Sequence, residues 1–169
     1  MIDSRQRGFS LFGLGLMALL ISILAVLLLK RLYYYQEVAE KARVELTLKS
    51  LTNALKVKMG QMMIDDRAYR WGQLAEENPF AWFDQKPADY CGEVDELVAI
   101  QSGCWVYRPQ ENDMAYKPIN TGHLETPNHN GLLRFRVKAI ATPKHGREGE
   151  PEIAESVRIE PVERYRWLE

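Results

Sequence analysis

The residues best suited to chemistry in this sequence are its two cysteines, Cys91 and Cys104, which lie 13 positions apart in a polar region. A disulfide between them would close a loop of about 14 residues and stabilise the fold by about 3 kcal/mol in the chain-entropy picture. Such a bond persists only in an oxidising compartment, such as a bacterial periplasm. Two unpaired buried thiols are the alternative, and the sequence leaves it open.

Other residues that could bind a metal or move a proton lack suitable neighbours. The three histidines, His123, His129 and His145, lie in polar stretches without the spacing of metal ligands. Asp65 and Asp66 could share a cation, but we expect them to lie at the solvated end of a helix. The sequence contains no nucleophile elbow, phosphate-binding glycine loop or HExxH zinc motif. We therefore expect neither an enzyme nor a cofactor or metal site.

The charged residues are balanced in number but unevenly placed. The 169 residues include 22 Lys and Arg and 23 Asp and Glu, for a formal charge of −1. This balance excludes nucleic-acid binding driven by overall basicity. No charged residue occurs from Phe9 to Leu29, and all eight prolines lie at or after Pro79. The sequence therefore joins two physically different parts.

The uncharged segment 9–29 is long enough to cross a membrane. As a helix it would measure roughly 31 Å, and the hydrocarbon core of a bilayer is roughly 30 Å thick. Lys30 and Arg31 follow it, and then three tyrosines at 33–35. Because basic and aromatic residues suit the headgroup layer, and no cleavage site follows the segment, we expect it to be a retained transmembrane helix.

Small residues recur on one face of this predicted helix, at Gly15, Ala18, Ser22 and Ala25. In lipid, such a face allows another helix to approach closely. Chance is an equal alternative, because small residues are common in transmembrane segments.

The residues before the apolar segment carry the most specific motif. A short basic leader, Arg5-Gln6-Arg7, ends in Gly8 and is followed directly by Phe9 and the apolar run. This motif resembles the type III signal of type IV pilins and type II secretion pseudopilins. The resemblance implies that a prepilin peptidase cuts between Gly8 and Phe9 and that Phe9 is then N-methylated. It also implies other pilin or pseudopilin subunits, an inner-membrane assembly platform and the lipid bilayer as partners, with no nucleic acid expected.

One position departs from the family pattern. The fifth residue after the cut is usually Glu in the family, where its carboxylate can pair with the N-terminus of a neighbouring subunit, and this sequence has Gly13. The resemblance therefore implies a minor or initiating subunit rather than an abundant one. The segments around Tyr90-Cys91-Gly92 and Gly103-Cys104-Trp105 are also similar, more loosely, to pilin-like proteins of mannose-sensitive haemagglutinin pilus systems and to relatives of major pseudopilins.

The sequence predicts that the helix continues beyond the membrane over residues 30–63. One apolar stripe recurs at steps of three and four, formed by Val44, Leu48, Leu51, Leu55, Met59 and Met62. Such an apolar face must pack against another element, and we expect this element to be a sheet of the same chain. A partner helix in a coiled coil is the alternative. We expect Gly60 to end or bend this helix and a further short helix to form between Asp65 and Glu77.

Residues 64–169 predict a globular domain with antiparallel strands. Cys104–Arg108 and Met114–Lys117 flank a turn-forming segment, which indicates a hairpin. Apolar and polar residues alternate over 133–139 and 156–160, and we expect a strand to continue over 162–167. Residues 142–152 predict a charged connection between strands.

The predicted strand at 133–139 has a basic face made of Arg134, Arg136 and Lys138. These residues could bind an anionic partner, but we expect a solvated face near Glu155 and Glu160. The expected fold class is α+β and pilin-like, with a long N-terminal helix packed on a small antiparallel sheet.

The expected domains are a leader (1–8), a transmembrane half of the helix (9–29), a periplasmic amphipathic half (30–63) and a globular domain (64–169). With the resemblance, these predict a minor pilin or pseudopilin subunit of the bacterial inner membrane, with its C-terminal domain in the periplasm, that enters or initiates a fibre. A membrane-tethered periplasmic scaffold or binding module that never enters a fibre is the alternative.

Overall fold

The computed structural model describes residues 11–95, 100–127, 131–141 and 154–168. These residues form an α+β protein with one long N-terminal apolar helix and a mixed β-sheet. The chain divides into two compact units, Met1–Val38 and Ala39–Glu169.

The long helix, α1, extends over Leu11–Ile64 and contains 54 residues. The prediction that the helix ends at Gly60 is wrong: an interior glycine costs only about 1 kcal/mol, and Met59 and Met62 on either side of it pack on the sheet domain. A bend at Gly60 stays a prediction. The helix ends instead where Asp66 adopts the left-handed conformation, with φ at 56°. The N–H of Arg67 then donates to the carbonyl of Met62, at 2.7 Å, in a Schellman-type cap.

Two short 3₁₀ helices follow α1. The first, Ala68–Ala75, lies inside the predicted 65–77 helix but has the tighter 3₁₀ geometry. The second, Pro79–Trp82, begins at a cap in which the Asn78 side chain accepts a hydrogen bond from the Phe80 N–H at 3.0 Å. Pro79 takes the first helical position, where its missing N–H leaves no bond unmade.

Seven strands are described, and they form two sheets: β1 Tyr90–Glu93, β2 Cys104–Arg108, β3 Asp113–Lys117, β4 Leu124–Glu125, β5 Leu133–Ala141, β6 Ala154–Pro161 and β7 Arg166–Trp167. The larger sheet has the order β1-β2-β3-β5-β6, and β4 pairs with β7 in the smaller one. The β2–β3 hairpin confirms its prediction. The entirely antiparallel sheet was a wrong prediction, because β1 runs parallel to β2.

The strand predicted over 162–167 is only partly present. β6 ends at Pro161, and only Arg166–Trp167 form a strand, which belongs to the other sheet. The connection predicted over 142–152, together with His129 and His145, lies outside the described residues.

The predicted apolar stripe of α1 is covered by the sheet of the same chain. Val44 and Leu51 pack in a core with Trp105, Tyr116 and Phe135. A second cluster joins the rest of the stripe to β5, β6 and the first 3₁₀ helix, through Leu55, Met59, Met62, Leu74, Val137 and Val157. Burying each large apolar side chain stabilises the fold by about 1.5–3 kcal/mol. The same-chain cover is therefore confirmed, and the stripe needs no coiled-coil partner.

Candidate membrane and assembly surface

The first part of α1 exposes apolar side chains on every face. Leu11 is 89% exposed and Phe12 81%, and most residues through Leu29 are also exposed. By length and composition α1 can cross a membrane. Water is a poor solvent for such a surface, so lipid or other helices must cover it. The predicted cleavage site, Gly8 and Phe9, lies outside the described residues.

The four small residues predicted to form an assembly face lie within α1. A side-chain carbon added at Gly15 would meet no atom within 4 Å, so this position is open. The Ser22 hydroxyl donates to the Ala18 carbonyl at 2.8 Å, which satisfies this donor without a partner outside the helix. Ala25 is exposed, and Gly13 also lies in the helix. The use of this face in assembly stays a prediction.

In the second unit, Cys91 and Cys104 form the predicted disulfide, with their Cα atoms 5.7 Å apart. The bond joins β1 to β2. Cys104 is buried, whereas Cys91 is exposed. Ile100, inside the closed loop, is buried with Val106 and Ala115. The alternative of two free thiols is thereby excluded.

A buried carboxylate on α1 holds the segment that follows β3. Glu40 is only 7% exposed, and its Oε1 accepts hydrogen bonds from the Tyr116 hydroxyl at 2.9 Å and from the Ile119 N–H at 2.6 Å. Its Oε2 accepts a third from the Asn120 N–H at 3.2 Å. Sequence reasoning missed this role, although one signal was present. Glu40 lies four residues before Val44 and therefore on the same face of the helix as the apolar stripe, where its side chain becomes buried.

The surroundings of Tyr116 predict an alkaline limit to stability. Burial raises the pKa of the Tyr116 hydroxyl above its ordinary value of 10.0, and its hydrogen bond to the Glu40 carboxylate raises it further. The folded state therefore retains this proton above pH 10, where the unfolded chain loses it, so stability falls as pH rises past 10. We expect the free energy of unfolding of Tyr116→Phe to decline less steeply between pH 10 and 12 than that of the wild type, measured by urea titration. Parallel slopes for the two proteins would contradict this.

Lys41, the residue after Glu40, fixes a second segment to the same turn of α1. Lys41 Nζ donates to the Trp167 carbonyl at 2.7 Å, and the Trp167 side chain is buried in the core beside the helix. β7, which contains Trp167, pairs with β4 in the smaller sheet. Two adjacent side chains of α1 therefore hold two segments that are distant in sequence.

A buried ion network lies between β2, β3 and β5. Asp113 is fully buried and accepts hydrogen bonds from the Arg108 and Arg134 guanidinium groups; Arg134 Nε lies 3.0 Å from its Oδ2. Arg134 also pairs with Glu163 at 3.4 Å. The sequence did not point to Asp113, because an aspartate beside Asn112 is typical of a turn.

The predicted basic face of β5 is thus divided between two environments. Arg134 is not part of a solvated face, because it joins the Asp113 network. Arg136 donates to the Glu111 carbonyl at 3.2 Å, and Nζ of the exposed Lys138 lies 3.7 Å from Oε2 of Glu160. These two residues agree with the predicted solvated face. The side chain of Glu155 lies outside the described part of the chain.

An open cleft of about 330 Å³ lies beside the end of α1, lined mainly by polar residues that include Lys58, Arg67, Gln73 and Glu77. Asp65 forms an ion pair with Arg67 at its edge. Across the ranges 11–95, 100–127, 131–141 and 154–168, no three His, Cys, Asp or Glu side chains are arranged to hold a metal. His123 lies in a turn. This cleft therefore gives no basis for assigning a ligand.

Among the surfaces described above, the exposed apolar segment of α1 is the one that most clearly needs other apolar groups to cover it. Comparisons with known proteins return no relative: no protein-family model matches the chain, and no curated protein or solved structure matches it significantly.

Proposed function

We propose that this chain is a minor subunit of a type IV pilin-like or secretion pseudopilus fibre. A prepilin peptidase cuts it after Gly8, and the chain rests in the inner membrane with its C-terminal domain in the periplasm. It then enters or initiates a fibre by packing its apolar helix against the helices of other subunits.

One observation carries this proposal. α1 continues without a break from an exposed, uncharged and mainly apolar segment into an amphipathic segment whose stripe is covered by a sheet of the same chain. A tether needs only a span and a flexible linker, whereas subunits that pack through their helices need the helix to continue into the folded domain. The Arg5–Leu11 motif supports the proposal independently, through its resemblance to the prepilin signal.

The open small-residue face and Gly13 support a restricted position in the fibre. Ala18 and Ser22 present little bulk, and the hydroxyl of Ser22 is already satisfied within the helix, so a second helix can approach without leaving a polar group unpaired. Gly13 supplies no carboxylate to pair with a neighbour's N-terminus. A subunit of this kind fits an end or another special position better than a repeating one.

The processing step tests the proposal directly. We expect coexpression with a prepilin peptidase to yield a chain beginning at methylated Phe9, and we expect Gly8→Ala to abolish the cut, because the motif places this glycine at the scissile bond. The N-terminus would be determined by mass spectrometry of the membrane fraction.

Gly15→Ala is the matched control, because it makes the same substitution at an open position inside the span. It should be processed like the wild type. Normal processing of Gly8→Ala would refute the assigned site. An intact Met1 on the wild-type chain would leave a membrane-tethered periplasmic scaffold as the function.

A further inference from the structure

Basic and aromatic side chains follow the apolar segment of α1. Lys30 and Arg31 follow the last apolar residue, Leu29, and Tyr34 and Tyr35 lie one turn later. All four side chains are exposed. The rings of the two tyrosines meet edge to face, with centroids 6.0 Å apart.

These four side chains lie on one side of α1. Tyr34 is four residues after Lys30, and Tyr35 is four residues after Arg31, so each hydroxyl lies on the same face as one cation. At about 100° per residue, the four positions cover about 140° of the helix circumference. Two cations and two tyrosine side chains therefore lie on one side of the helix.

The positive charge on this surface has no counter-ion in the described chain. Among the described residues, no Asp or Glu carboxylate lies within 4.0 Å of the charged nitrogens of Lys30 or Arg31. Glu37 is the first acidic residue after them in the sequence. A phosphate oxygen suits this surface, because guanidinium, ammonium and hydroxyl groups all donate to it.

The helix places this surface at the depth of lipid phosphates. The apolar residues Leu11–Leu29 make about 29 Å of helix, close to the roughly 30 Å hydrocarbon core of a bilayer. Lys30 and Arg31 then lie at the edge of the hydrocarbon core, and the tyrosines lie one turn further out, where aromatic residues are enriched.

We propose that Lys30, Arg31, Tyr34 and Tyr35 form a binding site for the headgroup phosphate of an anionic phospholipid, in preference to a zwitterionic one. A zwitterionic headgroup brings its own cation beside the phosphate, which opposes Lys30 and Arg31. This inference rests on the membrane span of the proposed function, but not on cleavage after Gly8 or on entry into a fibre.

Native mass spectrometry of the full chain, extracted from vesicles of equal phosphatidylglycerol and phosphatidylcholine, tests the site. We expect the wild type to retain phosphatidylglycerol preferentially. We expect Lys30→Gln/Arg31→Gln to lower that preference about thirtyfold, as two basic residues at an anionic surface should. Tyr34→Phe/Tyr35→Phe should lower it by a smaller factor, since only the hydroxyl donors are lost.

Lys49→Gln/Lys56→Gln is the matched control, because it removes two exposed charges from the same helix beyond the span. It should keep the wild-type preference. Equal retention of both lipids by the wild type, or an equal loss in the control, would overturn the site while leaving the span and the Gly8 result intact. Loss of the chain from carbonate-washed membranes would instead overturn the span, and with it both proposals.

Discussion

Replacing Asp113 with asparagine should lower the free energy of unfolding by about 3–5 kcal/mol, the usual cost of breaking a buried ion pair. Asparagine keeps the size of the side chain but removes the charge. Arg108, which is buried, and Arg134 then lose the carboxylate that both now contact. Urea unfolding of the full chain in detergent, followed by tryptophan fluorescence, measures the loss.

Glu125→Gln provides the control for this substitution. Its carboxylate lies 3.9 Å from Arg166, and both side chains are largely exposed. An exposed pair of this kind contributes about 0–1 kcal/mol, so we expect little change. A loss below about 1 kcal/mol for Asp113→Asn would mean that other groups compensate the two arginines, and would contradict the central role of Asp113.

Glu40→Ala should cost about 3 kcal/mol, since hydrogen bonds to a charged group each contribute about 1.5–3 kcal/mol and do not add fully. The substitution leaves the Tyr116 hydroxyl and the N–H groups of Ile119 and Asn120 without their acceptor. Glu40→Gln should cost less, because one carbonyl oxygen still accepts. The same unfolding measurement applies.

Glu45→Ala, at an exposed position of the same helix, controls for the loss of a helical glutamate. We expect it to change stability by a few tenths of a kcal/mol. Equal losses for Glu40→Ala and Glu45→Ala would show that the three bonds to Glu40 contribute nothing beyond helix propensity.

The sequence predicted the features that periodicity and composition determine. The steps of three and four from Val44 to Met62 identified the face of α1 that the sheet covers. The spacing of Cys91 and Cys104 predicted the disulfide, and the turn between β2 and β3 predicted the hairpin. In each case the signal lies within a short stretch of chain.

The features that were missed depend on contacts between distant segments. β1 has only four residues, and Gly92 within it has a positive φ, so no alternation of polar and apolar residues indicated its direction. Asp113 and its two arginine partners lie on three different strands. The cut after Gly8 follows from the resemblance to the pilin signal and stays a prediction, since Gly8 lies outside the described residues.

The hydrogen bond from Lys41 to Trp167 can form only long after Lys41 has been synthesised. The two residues are 126 positions apart, and Glu40 precedes its partner Tyr116 by 76 positions. At about 5–20 residues per second, the ribosome needs on the order of ten seconds to supply Trp167 after Lys41. Throughout that interval the apolar stripe of α1 has no completed sheet to cover it and is exposed to aggregation.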